Sequence, residues 1–204
     1  MMTIEQFIEQ ISPFAIRAWH SHQILPSLTI AQGILESQYG NSILVQKANN
    51  YFGIKASNWT GAKYLHTTKE FVNGKWITTR EYFRKYNNMQ ESVEDKSIFL
   101  SKPRYSKIKG CKDYKVATYE IWKAGYATDP KYPEKLNGLI ERYDLRRFDI
   151  MAMQKVDTTN VSDWAKADWI KMTELGVLAD GEPQKVGTRQ EAIAFIRRID
   201  NLLR

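Results

Sequence analysis

The chain has 204 residues, of which 43% are hydrophobic, so it can build one core of ordinary size and a small second module. Polar residues interrupt the amino-terminal stretch and no long apolar run follows, so we expect neither a secretory leader nor a membrane-spanning helix. The single cysteine, Cys111, excludes an internal disulfide framework, and three histidines without paired cysteines give no metal-ligand pattern. We therefore expect a globular protein that needs no metal and no other cofactor.

The charge of the chain is unevenly distributed. The formal net charge is +7, yet residues 156–204 carry seven basic and eight acidic side chains. All of the net positive charge therefore lies in the part of the chain before residue 156. A basic surface suits a polyanion, either nucleic acid or a bacterial wall with its phosphates and carboxylates, and charge alone does not choose between them.

Apolar residues at helical spacing predict three helices at the amino terminus. A first helix begins after Thr3 and is interrupted at Pro13, and a second runs over residues 13–22. The third and most apolar helix has Pro26 in its first turn, where proline is well tolerated, and Gly40 as its stop.

Glu36 lies near the end of this third helix, one residue after Leu35. A carboxyl group held in so apolar an element is partly removed from water, which raises its pKa and keeps it protonated near neutral pH. Such a group can serve as a general acid. The alternative is a glutamate on the exposed face of the helix, and the helix alone does not decide between the two.

Residues 48–54 combine amides, aromatic rings and a glycine in a short stretch of sequence. This mixture is typical of a loop that lines a cleft for a polar ligand with apolar faces. It also suits a structural turn whose amide side chains satisfy backbone groups, and composition favours neither.

Residues 66–82 give the strongest strand signal in the chain. Asn73-Gly74 is the preferred pair for a two-residue type I′ turn, so Val72 should pair with Lys75. Since side chains alternate along a strand, this register puts a polar set on one face and Phe71 and Trp76 on the other. The polar face consists of His66, Thr68, Glu70, Ile77, Thr79 and Glu81. We expect the Phe71/Trp76 face to pack on the protein and the carboxylate face to look into a cleft.

After the hairpin, Asn88 to Glu91 predicts a capping box at the start of a helix that ends before Lys102-Pro103, and a further helix is predicted over residues 113–124. A turn that contains Tyr126 and Tyr132 follows and leads into a helix over residues 133–143. These tyrosines suit stacking on a sugar ring or donation of a hydrogen bond to a developing charge. The alternative is that they are ordinary aromatic residues at the boundary of the core.

The sequence divides into a main domain over residues 1–150, a polar linker over 151–160 and a two-helix unit over 161–204. The last unit is too small to bury much surface alone, so we expect it to dock on the main domain or on another copy of itself.

Several separated motifs carry a resemblance to a known family. They are ILPSLTIAQ (24–32), LES (35–37), ANNYFGIK (48–55), FRKY (83–86), ES (91–92) and GYATDPKY (125–132). In this order they closely resemble glycoside hydrolase family 73, bacterial and phage endo-β-N-acetylglucosaminidases of peptidoglycan related to the glucosaminidase domain of flagellar rod-assembly proteins. The resemblance spans about residues 3–149. It implies a mainly helical, lysozyme-like α+β fold with a β-hairpin lobe, and cleavage of the β-1,4 bond between N-acetylglucosamine and N-acetylmuramic acid.

The resemblance also implies roles for individual residues. Glu36 matches the family's catalytic acid, and Glu70 is the match for its second carboxylate, with Glu81 as the reserve. The catalytic-site tyrosine falls in the turn described above, with Tyr126 the first choice and Tyr132 a further catalytic or substrate-binding residue. The loop residues expected to bind substrate are Asn50, Tyr51, Phe52 and Gly53. One departure is the run of residues 38–40, Gln-Tyr-Gly, where many relatives have Gly-Trp-Gly, and we expect it to alter a wall of the site only.

The mechanism after proton donation by Glu36 has three alternatives. A hairpin carboxylate at about 5–5.5 Å from Glu36 suits a retaining nucleophile, and one at about 6.5–9.5 Å suits an inverting base. In the third, the 2-acetamido oxygen of the substrate is the nucleophile. Alternatives for the function itself are a muramidase or lytic transglycosylase on the same scaffold, and a non-catalytic protein that binds wall or nucleic acid.

The expected partners are peptidoglycan glycan strands and anionic wall polymers, without nucleic acid and without membrane insertion. The tail, residues 161–204, looks like the S-layer-homology-like repeat at the ends of many phage lysins. This likeness suggests wall attachment, while a homodimer contact or simple stabilisation suits it equally. With no leader pattern, we expect a bacteriophage endolysin held in the host cytoplasm until release, or a virion-borne wall hydrolase with antimicrobial action.

Overall fold

The computed structural model describes residues 1–72 and 75–153, without the side chains of residues 68–72, 75 and 76. The predicted turn at Asn73-Gly74, the predicted unit at 161–204 and most of the predicted linker lie outside the described residues. The described part is helical with one β-hairpin, which confirms the expected mainly α, lysozyme-like α+β class with a hairpin lobe.

Seven α-helices, one 3-10 helix and two strands make up the described part of the chain. In order they are α1 Ile4–His22, α2 Pro26–Ser37, α3 Ile43–Ala48, β1 Lys63–Val72, β2 Lys75–Arg84, α4 Met89–Leu100, the 3-10 helix Pro103–Ile108, α5 Tyr114–Lys123, α6 Tyr132–Arg142 and α7 Arg146–Met153. None of the helices in this part is long and apolar enough to cross a bilayer.

Helix α1 is continuous, so the predicted interruption at Pro13 is wrong. Proline removes one backbone donor and leaves the carbonyl of Glu9 without its usual partner. The Ser12 hydroxyl donates to that carbonyl at 3.4 Å. Burial of Phe7 and Ile11 on the core side then stabilises the helix across the proline.

Helix α2 forms the centre of the domain, and nearly all of its residues are buried. It packs closely on α1 at Gly33, where a β-carbon would lie only 2.9 Å from Ile11 Cδ1. The helix ends at Ser37, three residues before the predicted stop, because Gln38 and Tyr39 already adopt left-handed conformations. Glu36 therefore lies in the last turn of α2.

The amino terminus of α2 is capped by a residue far away in sequence. Leu25 supplies no capping side chain, and the backbone N–H of Ser27 donates instead to Asp149 Oδ1 of α7 at 2.7 Å. Burial raises the pKa of Asp149, and the hydrogen bonds from Ser27 oppose this shift. Helix α7, which the sequence did not predict, therefore holds the start of the central helix.

The hairpin has the predicted register, with Val72 opposite Lys75, Glu70 opposite Ile77 and His66 opposite Glu81. The strands extend over 63–72 and 75–84, a little beyond the predicted 66–82. A further pairing of residues 54–56 with β2 fixes the base of the hairpin, with Arg84 N donating to Ile54 O at 3.0 Å.

The packing of the two hairpin faces differs from the prediction. On the face that carries Phe71 and Trp76, the described side chains of Thr78, Arg80 and Tyr82 are exposed. On the carboxylate face, Phe83 is buried and contacts the ring of His66 with centroids 5.9 Å apart. The base of the hairpin therefore packs through the face that was expected to be free, because Phe83 lies there.

Helix α4 begins at its predicted cap, where the Asn88 side chain accepts from Glu91 N. At the start of α5 the Asp113 side chain accepts from Lys115 N, a cap that the sequence analysis did not predict. Helix α7 continues to Met153 with Ala152 buried, so residues 151–153, which were predicted as part of the linker, are helical.

Candidate active site

A groove of about 830 Å³ crosses the protein beside the last turn of α2. Five parts of the chain line it: the end of α2, the loop after α3, the end of β2, the region around the 3-10 helix, and the turn before α6 with the first residues of that helix. The lining residues are Leu35, Glu36, Phe52, Gly53, Ile54, Lys55, Ser57, Arg84, Phe99, Lys102, Arg104, Tyr105, Gly125, Tyr126, Ala127, Thr128, Asp129, Tyr132 and Lys135.

Glu36 reaches the groove at its inner wall. Part of the surface of Glu36 is exposed to the groove. Its carboxyl group is nevertheless largely surrounded by protein atoms and has lost much of its hydration. This loss of hydration raises the pKa of Glu36, and a hydrogen bond from Tyr132 partly opposes the shift. The carboxyl group is therefore protonated to a higher pH than a free glutamate and faces open space, as a general acid requires.

A chain of hydrogen bonds runs from the core to Glu36. Tyr132, the first residue of α6, donates its hydroxyl hydrogen to Glu36 Oε1 at 2.9 Å. The Tyr132 oxygen in turn accepts a hydrogen bond from Gln32 Nε2 at 3.0 Å. Gln32 lies one helical turn before Glu36 and is fully buried. Helix geometry places residues four apart on one face, so α2 presents both ends of this chain.

Tyr126 lies beside Tyr132, with ring centroids 5.9 Å apart, and also lines the groove. Its ring is part of an aromatic cluster with Phe99 and Tyr105. Burial, followed by the nearby Glu36, raises the pKa of Tyr126, so its hydroxyl keeps its hydrogen. Among the described residues Tyr132 is the tyrosine bonded to Glu36, whereas the sequence favoured Tyr126.

The two hairpin glutamates were predicted to supply the second carboxylate. Glu81 lies 3.9 Å from Lys55 Nζ, and Lys55 lines the groove. Glu70 shares the face of Glu81 by the register, and its side chain lies outside the described residues. The hairpin therefore brings a carboxylate to the neighbourhood of the groove through the ion pair with Lys55.

The loop after α3 contains both structural turn residues and residues that line the groove, so each of the two interpretations of its sequence holds for part of it. Asn50 is buried, and its side chain bonds the backbone of Ile54 and Arg84, which makes it a structural turn residue. Tyr51 is buried as well, and its ring contacts Phe7 in α1. Phe52 and Gly53 line the groove. The predicted substrate-binding set is thus reduced to these last two residues as direct candidates.

Basic side chains surround the groove, and carboxylates of the described residues neutralise three of them. Arg84 pairs with Asp95 at 2.7 Å, Lys135 pairs with Asp129 at 2.6 Å, and Lys55 faces Glu81. Lys102 and Arg104 have no carboxylate partner in the described part of the chain. Lys102 lies over the Phe99 ring and Arg104 over Tyr105. The groove therefore carries a net positive charge at its aromatic end.

Sequence reasoning missed Gln32, Arg84, Lys102 and Arg104 as residues of the site. Gln32 could have been found from its spacing of one helical turn before Glu36. Arg84 lies in the FRKY motif (83–86) quoted above, whereas Lys102 and Arg104 offered no local signal, because lysine and arginine are common on any surface. Within the described residues, no group of three or more histidine, cysteine, aspartate or glutamate side chains is arranged to hold a metal.

Comparison with known proteins places these residues in context. The glucosaminidase family, described as mannosyl-glycoprotein endo-beta-N-acetylglucosaminidase, matches residues 12–145. Exo-glucosaminidase LytG of Bacillus subtilis (strain 168) is 38% identical over 175 residues, covering 81% of this chain and 62% of LytG. A probable N-acetylmuramidase of Lactococcus lactis subsp. lactis (strain IL1403) is 37% identical over 154 residues, covering 71% of this chain and 35% of that protein.

A solved structure shows the same architecture. The catalytic domain of the autolysin Auto from Listeria monocytogenes superposes with a TM-score of 0.64 at 34% identity, covering 73% of this chain and 89% of that domain. The chain spans less than two thirds of the length of the two curated relatives described above.

Proposed function

Because this chain belongs to the glucosaminidase family, we propose that it is a peptidoglycan hydrolase that cleaves the β-1,4 bond between N-acetylglucosamine and N-acetylmuramic acid. One observation carries this proposal: a glutamate with a raised pKa lies on an open groove, bonded to a buried tyrosine hydroxyl. The volume of the groove, about 830 Å³, lies within the range of pockets that hold ligands larger than a single sugar ring.

In the proposed reaction, protonated Glu36 gives its proton to the glycosidic oxygen while the bond breaks through an oxocarbenium-like state. The sugar cation is then captured from the opposite face. The hairpin carboxylates, Glu70 or Glu81, supply the group that attacks directly or activates water. The substrate's acetamido oxygen is the third candidate, and the Tyr126 hydroxyl beside Glu36 suits the task of orienting it. NMR of the anomeric configuration during hydrolysis separates inversion from retention.

The charge of the groove supports an anionic glycan as substrate. Lys102 and Arg104 leave positive charge at the aromatic end, where sugar rings can stack. Peptidoglycan carries carboxylates on its peptide groups. Since exposed charges are screened by salt, lysis of purified walls should weaken as ionic strength rises.

The decisive experiment is digestion of purified peptidoglycan with analysis of the new reducing ends. A glucosaminidase leaves N-acetylglucosamine there. The Glu36→Gln variant should lose roughly 10²–10⁴-fold in rate, the usual contribution of a general acid. Glu5→Gln, on the exposed start of α1, is the matched control and should keep full activity. Normal cleavage by Glu36→Gln would remove Glu36 from the role of acid.

A second candidate function is muramidase activity, because the Lactococcus relative is named a probable N-acetylmuramidase. Mass spectrometry distinguishes the two, since a muramidase leaves muramic acid at the reducing end and a lytic transglycosylase leaves its anhydro form. The same spectra address the position of the cut. LytG is named an exo-glucosaminidase, and an exo enzyme releases end units whereas the endo activity proposed here produces internal fragments.

We propose that residues 161–204 attach the catalytic domain to the wall. The supporting feature is their likeness to S-layer-homology-like repeats of phage lysins. Sedimentation with insoluble walls should retain the full chain more strongly than a chain ending at residue 153. A change in oligomeric state between the two proteins would instead assign a dimer contact to this unit.

We also propose that the protein is a phage endolysin with antimicrobial action. Lysis of intact bacteria by the added protein tests this proposal.

A further inference from the structure

A glutamine at position 32 lowers the stability of the folded protein compared with an apolar residue. Its side chain is fully buried, and Oε1 has no hydrogen-bond partner among the described residues. A buried amide without its full set of partners costs stability that a methionine or leucine of similar size would not. Within the described part of the chain, the Gln32 side chain makes one hydrogen bond, to Tyr132, which is bonded to Glu36. The hydrogen bond to Tyr132, and not the packing around the side chain, therefore accounts for the presence of a glutamine at position 32.

The chain of hydrogen bonds has a direction that Gln32 determines. An amide nitrogen can only donate, so the Tyr132 oxygen is the acceptor of the 3.0 Å bond. A phenol has a single hydrogen, which is then left for Glu36 Oε1 at 2.9 Å. An oxygen that already accepts a hydrogen bond from this side is a poor place for the acid proton. The proton of Glu36 therefore occupies the other oxygen, Oε2.

The reverse direction would hide the acid proton. If the Gln32 oxygen faced Tyr132, the tyrosine would donate to it, and the Tyr132 oxygen would accept the proton of Glu36. The proton would then point into the protein, away from the groove. In the structure Gln32 Nε2 is the atom that faces the Tyr132 oxygen, and Oε1 has no donor among the described residues, so the amide has the orientation that leaves the Tyr132 hydrogen for Glu36.

We propose that Gln32 is a positioning residue that keeps the acid proton of Glu36 on the carboxyl oxygen available to the substrate. The proposal rests on the proposed role of Glu36 as general acid. It assigns Gln32 no contact with substrate, since Gln32 does not line the groove. After Glu36 has given its proton to the substrate, the Tyr132 hydroxyl still donates a hydrogen bond to Glu36 Oε1, and this bond stabilises the new carboxylate.

The proposal predicts a specific pattern of kinetics. Gln32→Met keeps the length of the side chain and removes the donor, so kcat should fall roughly tenfold, the value of one hydrogen bond of moderate strength. KM should stay the same. Without a directed Tyr132 hydrogen the Glu36 carboxylate is less stabilised, so the alkaline limb of the kcat profile should move to higher pH. Gln32→Glu, which can accept from Tyr132, should lower kcat further.

A double-mutant cycle with Tyr132→Phe separates positioning from packing. If Gln32 acts through Tyr132, Gln32→Met should have little further effect on kcat in the Tyr132→Phe background. Additive losses together with an unchanged pH profile would overturn the proposal and leave Gln32 as a packing residue. Melting temperatures of all variants identify any that fail to fold, and Gln32→Glu, the closest in shape, then replaces Gln32→Met in the cycle.

A direct readout keeps this test independent of the enzyme assay. Titration of the Glu36 carboxyl carbon by NMR in the wild type and in Gln32→Met should show a higher pKa in the variant. An unchanged titration would contradict the proposal even if Glu36 is the acid. Full activity of Glu36→Gln would instead contradict the proposed function, so the two failures are distinguishable.

Discussion

Replacement of Lys96 by methionine tests whether water reaches the protein interior beneath the groove. Lys96 lies in α4 with no exposed surface, and its Nζ donates to Thr29 Oγ1 of α2 at 2.9 Å. The same nitrogen lies 5.3 Å from the centre of the Phe52 ring, which lines the groove. Because the buried ammonium group loses its hydration, the pKa of Lys96 falls from 10.5 to about 7.

The size of the effect follows from this shift. One pKa unit corresponds to about 1.36 kcal/mol, so a fall from 10.5 to about 7 is worth on the order of 4–5 kcal/mol. Below about pH 7 Lys96 is charged in both states, and the folded protein carries the whole cost of the buried charge. Between about pH 7 and 10.5 the unfolded chain binds a proton that the folded chain does not, so stability rises with pH.

Lys96→Met removes this titration. The variant should be more stable than the wild type at pH 6, and its advantage should shrink by about 4 kcal/mol by pH 10. The measurement is the free energy of unfolding in urea at a series of pH values for both proteins. Lys123→Met, at an exposed lysine of α5, is the control and should give a difference that does not vary with pH. Parallel curves for Lys96→Met and the wild type would refute the reasoning, since they would mean that water reaches the ammonium group.

Three further predictions concern the site and its support. Tyr132→Phe removes the hydrogen bond that lowers the pKa of Glu36, so the alkaline limb of the kcat profile should move to higher pH. An unmoved limb would contradict the bond. Lys102→Met should raise KM on intact peptidoglycan a few-fold, by about the value of one exposed ion pair, and leave KM on neutral chitin oligosaccharides unchanged. Equal effects on both substrates would exclude charge recognition, and Lys123→Met is the control. Gly33→Ala should destabilise the protein by about 1 kcal/mol in urea unfolding, because crowding against Ile11 outweighs the gain in helix propensity. A more stable variant would show that α1 and α2 can separate at this point.

Local sequence patterns predicted several elements well. The cap at Asn88 and the start of α2 at Pro26 depend on neighbouring residues alone, and the structure confirms them. The hairpin register follows from a two-residue turn, which fixes the pairing whatever surrounds it. Patterns failed where packing decides. Burial of Phe7 and Ile11 keeps α1 continuous across Pro13, and the base of the hairpin packs through Phe83.

The sequence by itself determined the family of this chain, the helix that carries Glu36 and the register of its hairpin, since each depends on residues that are near neighbours or on motifs in a set order. Only the tertiary structure decided that Tyr132 bonds Glu36 across 96 positions and that Asp149 caps α2 across 122. It also decided which basic side chains of the groove pair with a carboxylate of the described residues and which do not. Such contacts arise because burial forces each polar group to find whatever partner the packed helices bring near, and no local pattern encodes that choice.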